Sequence, residues 1–365
     1  MPHSDWLIYG ANGYTGELIA REAAQRGLRP ILAGRNREAV IALAAALGLE
    51  SRIFGLGDPK AIEAGLSGCV VVLHCAGPFS HTSQPMIEAC LHTHTHYLDI
   101  TGEIAVFEMS ATYDAVAKLA GSMVLPGVGF DVVPTDCLAA HLKSQLPSAT
   151  HLSLAFRGFG RTSRGTTLTA LESIATGGMI RREGKLMPVP SGWKTRRIDF
   201  GNSRGPIQTV TIPWGDVSTA YYSTSIPNIE VYIAFKPKLI FLLKISRYLS
   251  GLIKSAPLQS FLTTQINALP PGPTVEQRAH SISYVWGEVR DDAGQAITAR
   301  FKAPDGYTLT VLTALAIVEK TLDGHTPIGF QTPAQAYGSQ FVFDLPDVTW
   351  LPWHNESIAL RRLSK

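Results

Sequence analysis

The stretch WLIYGANGYTG, residues 6–16, decides the fold of the N-terminal part of the chain. Residues 6–10 form a short apolar run that ends in glycine, which is typical of a buried strand. Glycines follow in the spacing G-x-x-G-x-x-G, and a helix is predicted over 17–26. Such glycines permit a tight turn, close approach of the backbone to a pyrophosphate, and close packing of helix on strand. The residues that we predict to contact a dinucleotide here are Gly10, Asn12, Gly13, Tyr14, Thr15 and Gly16.

Short apolar runs and helical patterns alternate along the first 125 residues. The runs lie at 6–10, 30–34, 51–54, 70–74, 96–100 and 123–125. This alternation predicts a doubly wound parallel sheet, in which ligands bind beyond the carboxyl ends of the strands. Segments that follow these strands should therefore converge. They supply the remaining candidate cofactor contacts, which are Gly34, Arg35, Asn36, Gly77, Pro78, Phe79, Thr101, Gly102, Gly127 and Phe130.

The residues after the second predicted strand indicate which dinucleotide is bound. Sites for NAD place an acidic residue there, about 20 residues beyond the glycine motif, to bind the ribose 2′-hydroxyl. This chain has Arg35-Asn36-Arg37 instead. An arginine fork matches a 2′-phosphate. NADP(H) is therefore the predicted cofactor, with Arg35 as the main phosphate contact.

A second domain is predicted after residue 140, where glycines and prolines separate longer strand patterns. These patterns lie at 152–156, 210–212, 230–235, 282–286 and 296–300. They indicate a mixed or antiparallel sheet. The expected fold is α/β, with a Rossmann doubly wound parallel sheet over 1–140 and a second α+β domain over 141–325. Residues 326–365 form a C-terminal segment whose return to the first domain is left open.

Composition limits the classes of function. The 365 residues carry a net charge of +3, and only 17% of them are charged. A balance this small, without a concentrated basic face, argues against nucleic-acid binding. The cysteines at 69, 75, 90 and 137 lack metal spacing and are expected to be reduced thiols of a cytoplasmic protein. No signal peptide is expected before the first strand.

Residues 238–254, KLIFLLKISRYLSGLIK, form an unusually apolar segment that Lys244 and Arg247 interrupt. The segment is short and charged for a membrane span. Three interpretations stay open: a helix packed in the core, a helix that lies on a membrane surface, and a helix that lines a channel for an apolar substrate.

Several motifs resemble the saccharopine dehydrogenase-like oxidoreductases, a family that includes trans-acting enoyl reductases. They are GANGYTG (10–16), LAGRN (32–36), CAGPF (75–79), YLDITGE (97–103), PGVGFDVVPTD (126–136), SRGTTLTALES (163–173) and IPWGDVSTAYYSTSIPNIEVY (212–232). The resemblance implies a nicotinamide-dependent redox enzyme. The last motif is closer to the enoyl reductase branch than to enzymes that form saccharopine.

Hydride transfer requires a proton donor or a group that stabilises negative charge. The candidates are Tyr221, Tyr222, Asp131 and Asp216, although an aromatic residue in a core strand is the alternative for the tyrosines. Glu103 is expected to cap the helix that follows it, and a role as general acid or base is the alternative. No metal is expected, because His92, His94 and His96 alternate as on one strand face but have no carboxylate nearby at ligand spacing.

Three hypotheses of function remain. The first is an NADPH-dependent reductase of an apolar or carrier-bound enoyl or carbonyl substrate. The second is a saccharopine-type amino-acid dehydrogenase, for which Arg157, Arg161, Arg164, Arg181 and Arg182 could bind carboxylates. The third is a non-catalytic NADP(H)-binding or membrane-associated scaffold. A homodimer is compatible with all three.

Overall fold

The computed structural model describes residues 5–158, 160, 162–168, 171, 177–202, 205–246 and 255–352. Strands are labelled in chain order: β1 (Asp5–Tyr9), β2 (Ile31–Gly34), β3 (Ser51–Ile53), β4 (Cys69–His74), β5 (His96–Asp99), β6 (Met123–Leu125), β7 (His151–Arg157), β8 (Gly178–Arg182), β9 (Lys185–Val189), β10 (Thr195–Ile198), β11 (Ile207–Thr211), β12 (Asn228–Ala234), β13 (Ile282–Arg290), β14 (Ala296–Pro304), β15 (Gly329–Phe330) and β16 (Thr349–Trp350).

Helices are labelled in the same way. They are α1 (Tyr14–Gln25), α2 (Arg37–Leu47), α3 (Pro59–Leu66), α4 (Phe79–Thr93), α5 (Ile104–Thr112), α6 (Asp114–Ala120), α7 (Val133–Gln145), α8 (Asp216–Thr224), α9 (Pro237–Ser246), α10 (Ala256–Ala268), α11 (Val275–Ala279), α12 (Gly306–Leu322) and α13 (Pro333–Tyr337).

The chain forms two compact units, each built from two segments. The first unit contains residues 1–133 and 307–338, and the second contains 134–306 and the segment from 339 onward. These limits differ from those expected at 140 and 325. Residue 140 falls inside α7, and α12, which was expected in the second domain, belongs to the first unit.

The first unit contains a parallel sheet with the strand order β15-β6-β5-β4-β1-β2-β3. The predicted doubly wound sheet is confirmed. Leu7, Ile8 and Leu73 of its central strands are fully buried, which explains why these strands are continuous apolar runs. Chain order reverses beside β1, which pairs with both β2 and β4. Ligands of such sheets bind at this reversal, beyond the carboxyl ends of the strands.

The segment 307–338 completes the first unit. β15 pairs in parallel with β6, and the Asp114 carboxylate accepts a hydrogen bond of 3.0 Å from the Phe330 amide. From α12, the Thr313 hydroxyl donates to the Val128 carbonyl at 2.7 Å. The later segment therefore extends the sheet and holds the loop that follows β6.

The second unit is built on a mixed sheet with the order β10-β11-β12-β7-β13-β14-β16, and β8 and β9 extend it from β12. β12 and β7 are parallel, whereas β7 and β13 are antiparallel, so the prediction of a mixed sheet is confirmed. Leu138 and Leu142 of α7 lie so close to Gly287 of β13 that a β-carbon there would be 2.7 Å from Leu142. The helix thus covers one face of this sheet.

Candidate functional site

The glycine turn after β1 shows three different uses of glycine. Gly10 has a φ of +79°, and a β-carbon there would lie 2.8 Å from that of Ala76. A β-carbon at Gly16 would lie 2.4 Å from the Gly10 carbonyl oxygen. A β-carbon at Gly13 would have only that oxygen within 4 Å, at 3.2 Å. Packing within the protein therefore requires glycine at 10 and 16, whereas Gly13 leaves space beside the turn.

The start of α1 is suited to a phosphate group. Gly13 is the N-cap and has no side-chain acceptor, so no side chain caps the helix there. Asn12 and Gly13 are exposed, and Tyr14 and Thr15 are partly exposed. The positive end of a helix dipole and its first amides bind anions. The turn fits the pyrophosphate of a dinucleotide.

The end of β2 presents an exposed arginine. Arg35 is exposed, and its positive charge opposes the rise in the pKa of Tyr9 that burial causes. Asn36 has a local task, because its side-chain oxygen accepts a hydrogen bond of 3.2 Å from the Ala39 amide and caps α2. Gly34 lets Asn12 approach, since a β-carbon there would lie 3.1 Å from the Asn12 side-chain oxygen. Arg35 remains the residue suited to a 2′-phosphate.

The loop after β4 is held by Glu103. The two carboxylate oxygens of Glu103 accept hydrogen bonds from the Phe79 amide at 2.8 Å and the Ser80 amide at 2.9 Å. Glu103 is also the N-cap residue of α5, but its side chain makes no capping bond there. It therefore caps α4, not the helix that follows it, and the sequence-based expectation was wrong. This contact fixes Gly77, Pro78 and Phe79 at the carboxyl end of β4.

A buried framework supports the loops after β5 and β6. Asp99 is fully buried, and its carboxylate accepts hydrogen bonds from the Thr101 amide at 2.9 Å, the Gly127 amide at 2.8 Å and the Tyr97 hydroxyl at 2.7 Å. Burial raises the pKa of Asp99 to about 6, against the lowering effect of these hydrogen bonds. Thr101 is fully buried, and Phe130 is only 5% exposed. The Asp99 carboxylate therefore fixes Thr101 and Gly127, which follow β5 and β6.

Asp131 is a titratable group that lies next to this framework. Its carboxylate packs over Gly102, where a β-carbon would lie 2.7 Å from the carboxylate oxygen. The residue is partly exposed, and burial of the carboxyl raises its pKa to about 7. A carboxyl with this pKa can hold or release a proton near neutral pH.

The other candidate acids and tyrosines belong to the second unit. Asp216 is fully buried and accepts a hydrogen bond of 2.8 Å from the Thr135 hydroxyl. Tyr221 and Tyr222 are partly exposed and lie on α8, so the alternative of a core strand was wrong. The Arg181 guanidinium lies 4.3 Å from the centre of the Tyr221 ring. These contacts all lie within the second unit.

The three alternating histidines have separate partners. His92 contacts the Glu63 carboxylate at 2.9 Å, His94 contacts the Ala120 carbonyl at 2.9 Å, and His96 accepts from the Met123 amide at 3.0 Å. Within the described ranges, no group of three His, Cys, Asp or Glu residues could hold a metal ion.

Sequence reasoning missed the residues that α12 contributes to this site. The Tyr307 ring meets the Tyr14 ring edge-on, with the ring centres 5.1 Å apart. The Thr310 hydroxyl accepts a hydrogen bond of 3.0 Å from the Phe130 amide. Both residues lie far along the chain from their partners, in a helix without a recognisable motif, so no local pattern could have identified them.

A parallel sheet whose order reverses at a glycine turn, with an arginine at the end of the second strand, defines a dinucleotide-binding Rossmann domain. Residues 6–125 match the family model described as the saccharopine dehydrogenase NADP binding domain. The match covers residues 6–125 and identifies that segment as an NADP-binding domain of this kind.

Known relatives are similar to part of this chain at low identity. A Mycobacterium tuberculosis protein, provisionally named as a trans-acting enoyl reductase, is 30% identical over 186 residues, which are 47% of this chain and 44% of the relative. A Bos taurus saccharopine dehydrogenase-like oxidoreductase is 27% identical over 54% of this chain and 46% of its own. The matches thus span under half the length of these relatives.

A solved structure shares the fold over nearly the whole chain. It is the apo saccharopine dehydrogenase (L-Glu forming) from Saccharomyces cerevisiae, with a TM-score of 0.63 and 12% identity. The match covers 93% of this chain and 96% of that chain. At this identity the likeness shows the fold alone.

Proposed function

We propose that this protein is an NADPH-dependent reductase of an apolar, carrier-bound enoyl or carbonyl substrate, with Asp131 as the proton donor. The observation that carries the proposal is the position of the Asp131 carboxyl over Gly102, in the same unit as the glycine turn and Arg35. A Rossmann site with a carboxyl of pKa about 7 provides both parts of a reduction.

The residues of the first unit divide the work of binding. The turn from Gly10 to Gly16 and the start of α1 would hold the pyrophosphate, and Arg35 would pair with the 2′-phosphate. When bound, NADPH supplies the hydride. Asp131, in its protonated form, would donate a proton to the substrate atom on which negative charge develops. Its side chain then becomes the carboxylate.

The relatives named trans-acting enoyl reductase favour an enoyl group carried by another protein as the substrate. The structure gives the amino-acid dehydrogenase less support. Arg181, one of the arginines considered for binding carboxylates, is buried and donates to the Val217 and Gly184 carbonyls, each at 2.8 Å. Arg164 donates to the Leu269 carbonyl, and Arg161 lies outside the described residues.

Cofactor preference is tested by isothermal titration with NADPH and, separately, NADH. We expect NADH to bind at least about tenfold more weakly, because it lacks the phosphate that pairs with Arg35. Arg35→Asp should reverse the preference, whereas the matched change Arg37→Asp should alter it less. If neither dinucleotide binds, the glycine turn is only a feature of the fold and the non-catalytic scaffold becomes the better interpretation.

Chemistry is tested by NADPH consumption with enoyl thioesters of increasing chain length and, in parallel, by NADP⁺ reduction with saccharopine. We expect turnover with the thioesters, and a kcat/KM that falls as the pH rises above the Asp131 pKa of about 7. Asp131→Asn should lower kcat by about 10²–10⁴-fold while NADPH still binds. Tyr221→Phe, the matched change in the second unit, should have little effect. Turnover of saccharopine alone would contradict the proposal.

A further inference from the structure

The outer face of α9 is apolar, which is the reverse of an ordinary surface helix. Phe241 is 64% exposed, Leu242 60% and Leu239 46%, whereas Ile240 is 4% exposed and anchors the helix. Such a row of exposed apolar side chains indicates a binding surface. The part of the segment 238–254 that the structure describes is therefore not simply packed in the core.

Contacts on the inner side explain this orientation. A β-carbon at Gly192 would lie 3.2 Å from the Lys244 side chain and 3.7 Å from that of Leu243. Leu243 and Lys244 thus face the turn that contains Gly192. The next residue in that turn, Trp193, is 44% exposed. An exposed tryptophan therefore belongs to the turn on which α9 packs.

The charge along this stretch of the sequence has one sign. Between Glu230 and Glu276 the sequence contains no acidic residue. It contains five basic residues there, which are Lys236, Lys238, Lys244, Arg247 and Lys254. Lys236 and Lys238 are exposed at the start of α9, and Arg247 and Lys254 lie outside the described residues. An apolar face flanked by cations complements an anionic lipid surface.

We propose that α9 and Trp193 form a docking surface for an anionic membrane, which we call the α9 face, with Phe241 and Leu242 entering the lipid and Lys236 and Lys238 contacting the headgroups. Within the described ranges, no helix is long and apolar enough to cross a bilayer. Trp193 is suited to the boundary between apolar chains and headgroups, since its ring is apolar and its N–H is polar. The proposal goes beyond the proposed reductase and does not depend on it.

The test is sedimentation of the full chain with vesicles of phosphatidylcholine, with or without phosphatidylserine. We expect binding to the anionic vesicles, weaker binding at high salt and a blue shift of tryptophan fluorescence. Phe241→Ser combined with Leu242→Ser should reduce the partition by about tenfold or more. Lys236→Glu combined with Lys238→Glu should reduce the partition by at least about fivefold for each lysine replaced.

Matched controls come from the first unit. Leu119 in α6 is 89% exposed, and Lys60 in α3 is exposed, so Leu119→Ser and Lys60→Glu should leave vesicle binding unchanged. NADPH titration and circular dichroism of each variant confirm that it folds. The proposal is overturned if the protein binds neither kind of vesicle. It is also overturned if the control variants reduce vesicle binding as much as the α9 variants do. It is also overturned if the α9 changes abolish a homodimer without changing vesicle binding, because the occupant is then a second copy.

Discussion

Asp131 should make the stability of the protein depend on pH in a definite direction. Burial raises its pKa to about 7 in the folded state, whereas an unfolded aspartate titrates near ~3.9. The folded state therefore binds more protons at this carboxyl between these values, so the contribution of Asp131 to stability is greatest at low pH and is lost as the pH rises towards about 7. In urea unfolding at a series of pH values, Asp131→Asn should lose less stability over this window than the wild type. Equal slopes for the two proteins would contradict the placement of this carboxyl.

Gly13 and Gly16 should respond differently to the same substitution. Gly16→Ala would place a β-carbon 2.4 Å from the Gly10 carbonyl oxygen, so α1 must move, and we expect a loss of about 1–3 kcal/mol in the free energy of unfolding. Gly13→Ala meets only one atom, at 3.2 Å, and should lose less stability than Gly16→Ala, while NADPH binding weakens by about tenfold or more because the methyl group lies where the pyrophosphate must approach. Thermal unfolding and titration calorimetry measure the two effects. Equal losses of stability would show that the third glycine is not the packing position.

At the scale of the secondary-structure elements, Glu103 should stabilise α4 from a distance in sequence. Glu103→Ala removes the acceptor of the Phe79 and Ser80 amides, and we expect a loss of about 1–2 kcal/mol in the free energy of unfolding. Glu103→Gln keeps one acceptor oxygen and should lose less. Glu38→Gln, an exposed acid in the first turn of α2, is the matched control and should change little. No difference between Glu103→Ala and this control would show that the cap contributes nothing.

The elements that the sequence predicted are those that form from neighbouring residues. Strands β1 and β4 are apolar runs that end in glycine or a loop, and the helix predicted over 17–26 is found as α1. β15 consists of only Gly329 and Phe330, which is too short for any pattern, so its place beside β6 depends on pairing with a distant strand. The partner of Glu103 was missed for the same reason, because a carboxylate can cap whichever helix start the fold brings near it.

The catalytic candidates show more clearly what the sequence could not predict. Asp216 and Asp131 are both acids in motifs on which the resemblance to the family was based, and the sequence could not rank them. Burial separates them, since Asp216 is fully buried beside the Thr135 hydroxyl and Asp131 is partly exposed over Gly102. Burial and exposure result from tertiary packing, which one sequence does not reveal.

At the scale of the whole molecule, the dinucleotide-binding unit is discontinuous in sequence. Its first segment ends at residue 133, and residues 307–338 return to it after strands β7 to β14 of the second sheet. The returning segment supplies the edge strand β15, the Tyr307 ring and the hydroxyls of Thr310 and Thr313. Without it, β6 would be an open strand edge and the Val128 carbonyl would lose its hydrogen bond.

A fragment of residues 1–133 should therefore fold poorly by itself, although it contains the complete glycine motif. The same fragment joined through a flexible Gly/Ser linker to residues 307–338 should unfold cooperatively and bind NADPH. The joined fragment contains both segments of the first unit, and the linker takes the place of the second unit in connecting them. Thermal unfolding by circular dichroism and NADPH titration of both fragments provide the comparison. In the joined fragment, Thr310→Val should lower the melting temperature, because the Phe130 amide loses its acceptor. Cooperative unfolding of 1–133 alone at the temperature of the joined fragment would show that the first segment is a domain in its own right.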